Sequence, residues 1–172
     1  MDATSLAIIV ALSTWLAPHP AHMQGRFVYY GSQRLIEANA SYRGYDLSHY
    51  PERCGLSAIG PDGLGKIYWI RVPGGKWHGP CLAVDVVAQR DFYLSVYDRQ
   101  EIAELGAVQR EWLGFRATTW GEVHIGLCPP DESSTAQWYA PDMKIQRAYR
   151  PEPALWPFPA QQMPVNCHHQ KE

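Results

Sequence analysis

The stretch KIYWIRVPGGKWHGPCLAVDVV, residues 66–87, constrains the fold more than any other part of the chain. Two runs rich in β-formers flank Pro73-Gly74-Gly75, a turn that sends the chain back on itself, so a hairpin is expected. In the second run Leu82, Val84 and Val86 share one face of a strand, and Cys81, Ala83, Asp85 and Val87 share the other. Asp85 is the odd member of an otherwise apolar run. An ionised carboxylate is costly to bury without a partner, so this acid either opens to a cleft or is held in place for use.

The rest of the central chain has the same texture. RFVYYG (Arg26 to Gly31) reads as a first strand and is followed by a long polar stretch through Pro51. EVHIGL (Glu122 to Leu127) puts Val123, Ile125 and Leu127 on one face and Glu122 and His124 on the other. Between these, AVQREWLGF predicts a short helix closed by Gly114. The longer stretch EIAELGAVQREWL also fits one amphipathic helix with Ile102, Leu105, Val108 and Trp112 inward. Many short strands, glycine-rich turns and a single short helix point to an all-β fold, a small closed barrel.

With 172 residues, 46% of them hydrophobic, the chain can bury one sizeable core and no second large one. Three zones are expected: a targeting-like segment (1–24), a barrel domain (25–128) and a Pro-rich tail (129–172). Leu6 to Leu16 is apolar and too short for a membrane-spanning helix, but has the size of the apolar part of an export signal, although no Lys or Arg precedes it. Eight of the 14 prolines lie between Pro129 and Pro164, which suits an extended arm, while Trp138, Tyr139, Trp156 and Phe158 argue that part of it docks. Cys54, Cys81, Cys128 and Cys167 fit an exported chain with one or two disulfides, in any of three full pairings. A net charge of -2 without a Lys/Arg cluster gives no footprint for nucleic acid. Seven Trp and ten Tyr supply flat amphipathic faces suited to a sugar.

GLGKIYWIRVPGGKWHGPCLAVDVVAQRDF, followed by EIAELGAVQREWLGF and EVHIGL, resembles the double-psi β-barrel of rare lipoprotein A, the expansins and family 45 endoglucanases. The resemblance runs from about Tyr29 to Leu127 and rests on the order of the motifs. It implies a six-stranded double-psi β-barrel. It also implies a first acid at the end of a strand, which falls on Asp85. The family's second acid precedes a leucine, a serine and a helix ending Leu-Gly; here Glu104, Leu105 and Gly106 take those places. A competing register ends the helix at Leu105-Gly106 and puts Val96 where the second acid belongs.

Two carboxylates in different environments can cleave a glycosidic bond, one donating a proton and one stabilising the cationic centre. The family implies lytic transglycosylation of peptidoglycan, in which the substrate's own hydroxyl replaces water. The expectation is therefore Asp85 as the acid with the raised pKa and Glu104 as the orienting group. Tyr29, Tyr30, Trp77, His78 and His124 would bind the glycan, with no metal or cofactor, in an exported, monomeric, periplasmic or wall-associated protein. The expansin resemblance implies the alternative of a non-catalytic polysaccharide-binding module. Asp85 as a structural acid, Glu104 as a solvated helix residue, and Asp91 and Asp98 as other acids are further readings. Cys167-His168-His169 is half of a metal site at most, and Gly60 to Gly65 is turn chemistry.

Overall fold

The computed structural model describes residues 22–59, 63–87, 91, 94–130 and 137–138. β1 (His22–Gly31) leads into α1 (Gln33–Tyr42), a 3-10 turn (Pro51–Arg53) and β2 (Gly55–Ala58). The expected hairpin follows as β3 (Ile67–Arg71) and β4 (His78–Val86), paired antiparallel. A π-helical turn (Leu94–Asp98) precedes β5 (Glu101–Gly106), α2 (Ala107–Leu113), β6 (Thr118–Ile125) and β7 (Gln137–Trp138). None of the helices among the described residues is long and apolar enough to cross a membrane.

Six strands close into a barrel in the order β5-β2-β4-β3-β6-β1, with β1 returning to pair with β5. The β1–β5 and β2–β4 pairs are parallel and the other barrel pairs antiparallel. Closure pairs each of these six strands on both sides, except that β5 does not reach the start of β1, upstream of Arg26. β7 adds a short parallel pairing to β1 at Met23 and Gln24.

Residues directly opposite in a register share a face. Phe27 pairs with Ala103, Ala103 with Ala58, Leu105 with Leu56, and Leu56 with Ala83, and all six are fully buried. They define the barrel interior. Gly121 of β6 gives the Phe27 ring its space, since a Cβ there would lie 1.9 Å from Phe27 Cε2.

α1 lies outside the barrel and buries Ile36 and Ala40. Its start is capped by Ser32, whose side chain accepts from the Leu35 N–H at 3.4 Å. Close approach is possible because β2 begins with Gly55, where a Cβ would sit 2.6 Å from Ile36 Cγ2. α2 runs from the N-cap Gly106 to Gly114, which takes the left-handed conformation at φ 70°. Its Gln109 is fully buried and donates through Nε2 to Gly55 O at 2.8 Å and to Cys54 Sγ at 2.9 Å. Cys54 is disulfide-bonded to Cys81 across the β2–β4 pair, and Cys128 is disulfide-bonded too.

Several expectations are revised. The described residues hold two short α-helices where one was expected, because the polar stretch after Gly31 contains α1. Glu104 lies in a strand and not on an amphipathic helix, since β5 is held between β1 and β2. Leu127 falls beyond the end of β6 and is 46% exposed. β1 begins upstream of Gly25, at His22. Of the targeting-like segment (1–24), residues 22–24 belong to β1 and the rest, with most of the Pro-rich tail and Cys167, His168 and His169, lies outside the described residues.

The Phe27–Gly121 contact gives a test of the barrel register. Gly121→Ala is expected to lower stability in urea unfolding by about 1–3 kcal/mol through overpacking. Adding Phe27→Leu should recover part of that loss; an unchanged midpoint for Gly121→Ala would mean that the ring does not lie there.

Candidate active site

The β-bulge in the β2–β4 pairing decides what Asp85 faces. The register moves from Leu56 opposite Ala83 to Ser57 opposite Asp85, so β4 supplies one extra residue and the alternation of the strand is reset. Ser57 also pairs with Glu104 on its other side. Asp85, Ser57 and Glu104 therefore leave β4, β2 and β5 on one face, the outer one, opposite to the buried Leu56, Ala58 and Leu105. At about 4.8 Å per strand spacing, the α-carbons of the two acids lie about 10 Å apart.

α1 and the end of β1 bring three donors to Asp85. Arg43 Nη2 donates to Oδ1 at 2.5 Å, and Asn39 Nδ2 donates to Oδ2 at 3.2 Å. The Tyr30 hydroxyl donates to the same Oδ2 and accepts from Asn39 Nδ2. Asn39 and Arg43 are one helical turn apart, which puts both on the same side of α1. The Asp85 side chain is 20% exposed and that of Arg43 12%, so the pair lies at the edge of the solvent. Burial first, and then the hydrogen bond to Asp85, push the Tyr30 phenol well above the usual tyrosine range. It stays protonated as a donor.

Glu104 has a different environment. Burial raises its pKa above the ordinary glutamate value, the nearby Ser57 hydroxyl pulls it back, and the negative fields of Glu101, Asp85 and Asp91 raise it further. Ser57 is itself fully buried, and its Oγ makes no well-formed hydrogen bond elsewhere. One face thus carries a carboxylate engaged by an arginine and, across a serine, a second carboxyl group disposed to hold its proton.

The residues expected to bind a glycan do not gather there. Tyr30 alone among them touches Asp85. Tyr29 is 45% exposed and lies under the Arg110 guanidinium, 3.7 Å from its ring centre. His78 stacks on Trp112 at 5.8 Å, and the Trp112 indole donates to Glu52 Oε1 at 3.1 Å. Trp77 and His124 belong to a separate cluster with His22. Asp98 is exposed, and the field of Asp91 raises the pKa of Glu104.

Sequence reasoning missed Asn39, Arg43 and Ser57. The available signal was Ser32 at a cap position ahead of Ile36, Ala40 and an Asn39/Arg43 pair at helical spacing. Ser57 carries no local signal, because only the strand pairing sets it between the acids. Among the described residues no group of three or more His, Cys, Asp or Glu side chains is arranged to hold a metal ion. A shallow cavity of about 300 Å³ lined by Glu37, Tyr45, Asp46 and Arg53 includes neither Asp85 nor Glu104. No protein-family model, curated protein or solved structure matches this chain.

The raised pKa of Glu104 fixes the sign of a pH effect. A carboxyl group that holds its proton more tightly when folded destabilises the fold above its folded-state pKa, and that penalty disappears as pH falls below its unfolded value, 4.5. Glu104→Gln is therefore expected to be more stable than the native protein at pH 7 in urea unfolding, with the difference vanishing near pH 4. A less stable variant at pH 7 would show that the charged form of Glu104 is favoured by the fold.

Proposed function

We propose that this protein is an exported, rare lipoprotein A-like protein with a double-psi barrel that cleaves cell-wall glycan by carboxylate acid catalysis. The observation that carries the reading is the pair of acids flanking Ser57 on one outer face, one engaged by Arg43 and the other raised in pKa by burial. A closed six-stranded mixed barrel supports the architecture. Leu105 and Gly106 end a strand and Gly106 caps α2, which favours the register that gives Glu104 the second acid position. The competing register needs a helix to end there.

The roles are exchanged relative to the sequence expectation. Glu104 is the proton donor to the leaving glycosidic oxygen. Asp85, held by Tyr30, Asn39 and Arg43, stabilises the positive charge that develops as the bond breaks. In a transglycosylation the substrate's own hydroxyl then closes on the anomeric carbon, and its proton returns to Glu104. Two strand spacings between the acids leave room for a sugar between them.

A second reading, a non-catalytic polysaccharide-binding module, draws on a different observation. Asp85 is engaged by three side-chain donors, which also suits a tether between α1 and the barrel. Incubation with peptidoglycan sacculi and a panel of plant and fungal glycans, with products identified by mass spectrometry, separates the two. The expected result is anhydro-ended fragments from the native protein, reduced at least ~100-fold in Glu104→Gln. Retention on a glycan without products would support the binding module. Neither products nor retention would overturn both readings.

A further inference from the structure

The outer face of β3, β6 and β1 carries a cluster that the proposed chemistry does not use. His22 opens β1 and lies directly opposite His124 of β6; Gln24 lies opposite Glu122. On the other side of β6, Trp69 and Arg71 of β3 lie opposite His124 and Glu122. These side chains therefore share one face. Trp77, from the segment before β4, packs among them, with its ring centre 5.2 Å from that of His22 and 6.4 Å from that of His124.

A single carboxylate oxygen holds the cluster together. Glu122 Oε2 accepts from Arg71 Nη2 at 2.7 Å and Nε at 3.0 Å, and lies 3.0 Å from His22 Nε2. The Arg71 guanidinium also sits 4.4 Å from the centre of the Trp77 ring. The side chains of His22, Glu122 and Arg71 are only 9–12% exposed. The ring nitrogens Nδ1 of His22, Nδ1 of His124, Nε1 of Trp69 and Nε1 of Trp77 are buried without a hydrogen-bond partner. Water is largely excluded, so a charge added here is poorly screened.

The charge balance is the decisive point. With both imidazoles neutral, Arg71 and Glu122 cancel. Among the described residues, the titratable and charged groups of this cluster are His22 from β1, Glu122 and His124 from β6, and Arg71 from β3. Once His124 takes up a proton, two positive groups, Arg71 and His124, face the single carboxylate of Glu122 in a nearly closed patch. The neighbourhood makes the result directional, because His22 is the first residue of β1 and the adjacent Met23 and Gln24 carry β7.

We infer that this face is an acid-sensitive latch: protonation of His124 beside His22 and Arg71 places more positive charge there than Glu122 neutralises, and loosens the start of β1 together with the docked β7. The inference is independent of the glycan reading. Burial, and then the field of His22, hold the His124 imidazole below the ordinary histidine value of 6.5. The opened strand therefore takes up the proton first, and the closed face loses stability as pH falls through that value. His78 is shifted the same way by burial and Lys76, but it lies against Trp112 on a different patch. It serves as the control.

Amide hydrogen exchange of the full chain at pH 7.5 and 5.5, corrected for intrinsic rates, tests the latch. The expected result is an at least tenfold loss of protection at pH 5.5 in residues 22–25 and 121–125, with 55–58 and 82–86 unaffected. His78→Gln should show the same loss and His124→Gln less than threefold. Glu122→Gln removes the sole negative charge of the cluster and should move the loss to higher pH, a result that decides the matter if His124→Gln does not fold. Equal loss across all strands, an unchanged loss in a folded His124→Gln, or an unshifted transition in Glu122→Gln would overturn the inference.

Discussion

The parallel pairing of β1 with β5 is the constraint on which the rest of this structure depends. β5 comes from late in the barrel sequence, yet it fits between β1 and β2 and closes the sheet on itself. Closure covers the edges of the barrel strands apart from the start of β1, where β7 pairs, and fills the interior with Phe27, Leu56, Ala58, Ala103 and Leu105. It also fixes which face Glu104 occupies, because a slip of one residue would send that carboxyl group inward. The position of the second acid is thus a consequence of barrel closure and not of its own sequence neighbourhood.

Asp85 shows how a carboxylate persists in an apolar strand. The bulge turns it to the outer face, and α1 then lays Asn39 and Arg43 over it while β1 contributes Tyr30. A paired, multiply hydrogen-bonded carboxylate avoids most of the penalty that an isolated one would incur. The same donors link α1 to the barrel, so the tether and the candidate chemistry share one set of contacts. Gly55 is part of the same solution, since it lets Ile36 seat close enough for the donors to reach.

What could be read from the sequence follows the range of the interactions. The β3–β4 hairpin was legible because Pro73-Gly74-Gly75 joins neighbours in the chain, and α2 because Gly114 closes it locally. Asp85 stood out because its surroundings in the strand are apolar. α1 was hidden because its buried stripe is only Ile36 and Ala40 within an otherwise polar decapeptide. Glu101 to Leu105 suits helical and strand periods equally, and long-range pairing with β1 and β2 made the choice. The aromatic and imidazole side chains chosen for a glycan were scattered for the same reason: strand order, not sequence proximity, decides which of them meet.

The two acids of the outer face stand in different environments, Asp85 engaged by Arg43 and Glu104 raised in pKa by burial, and the proposed proton donor depends on the second of these. The most direct measurement is a titration of the Glu104 side-chain carboxyl carbon by NMR in the folded native protein, with Glu104→Gln to assign the signal. A midpoint above the ordinary glutamate value of 4.5 is expected. A midpoint at or below that value would mean that Glu104 is ionised like any solvated glutamate, and the proposed proton donor would be lost.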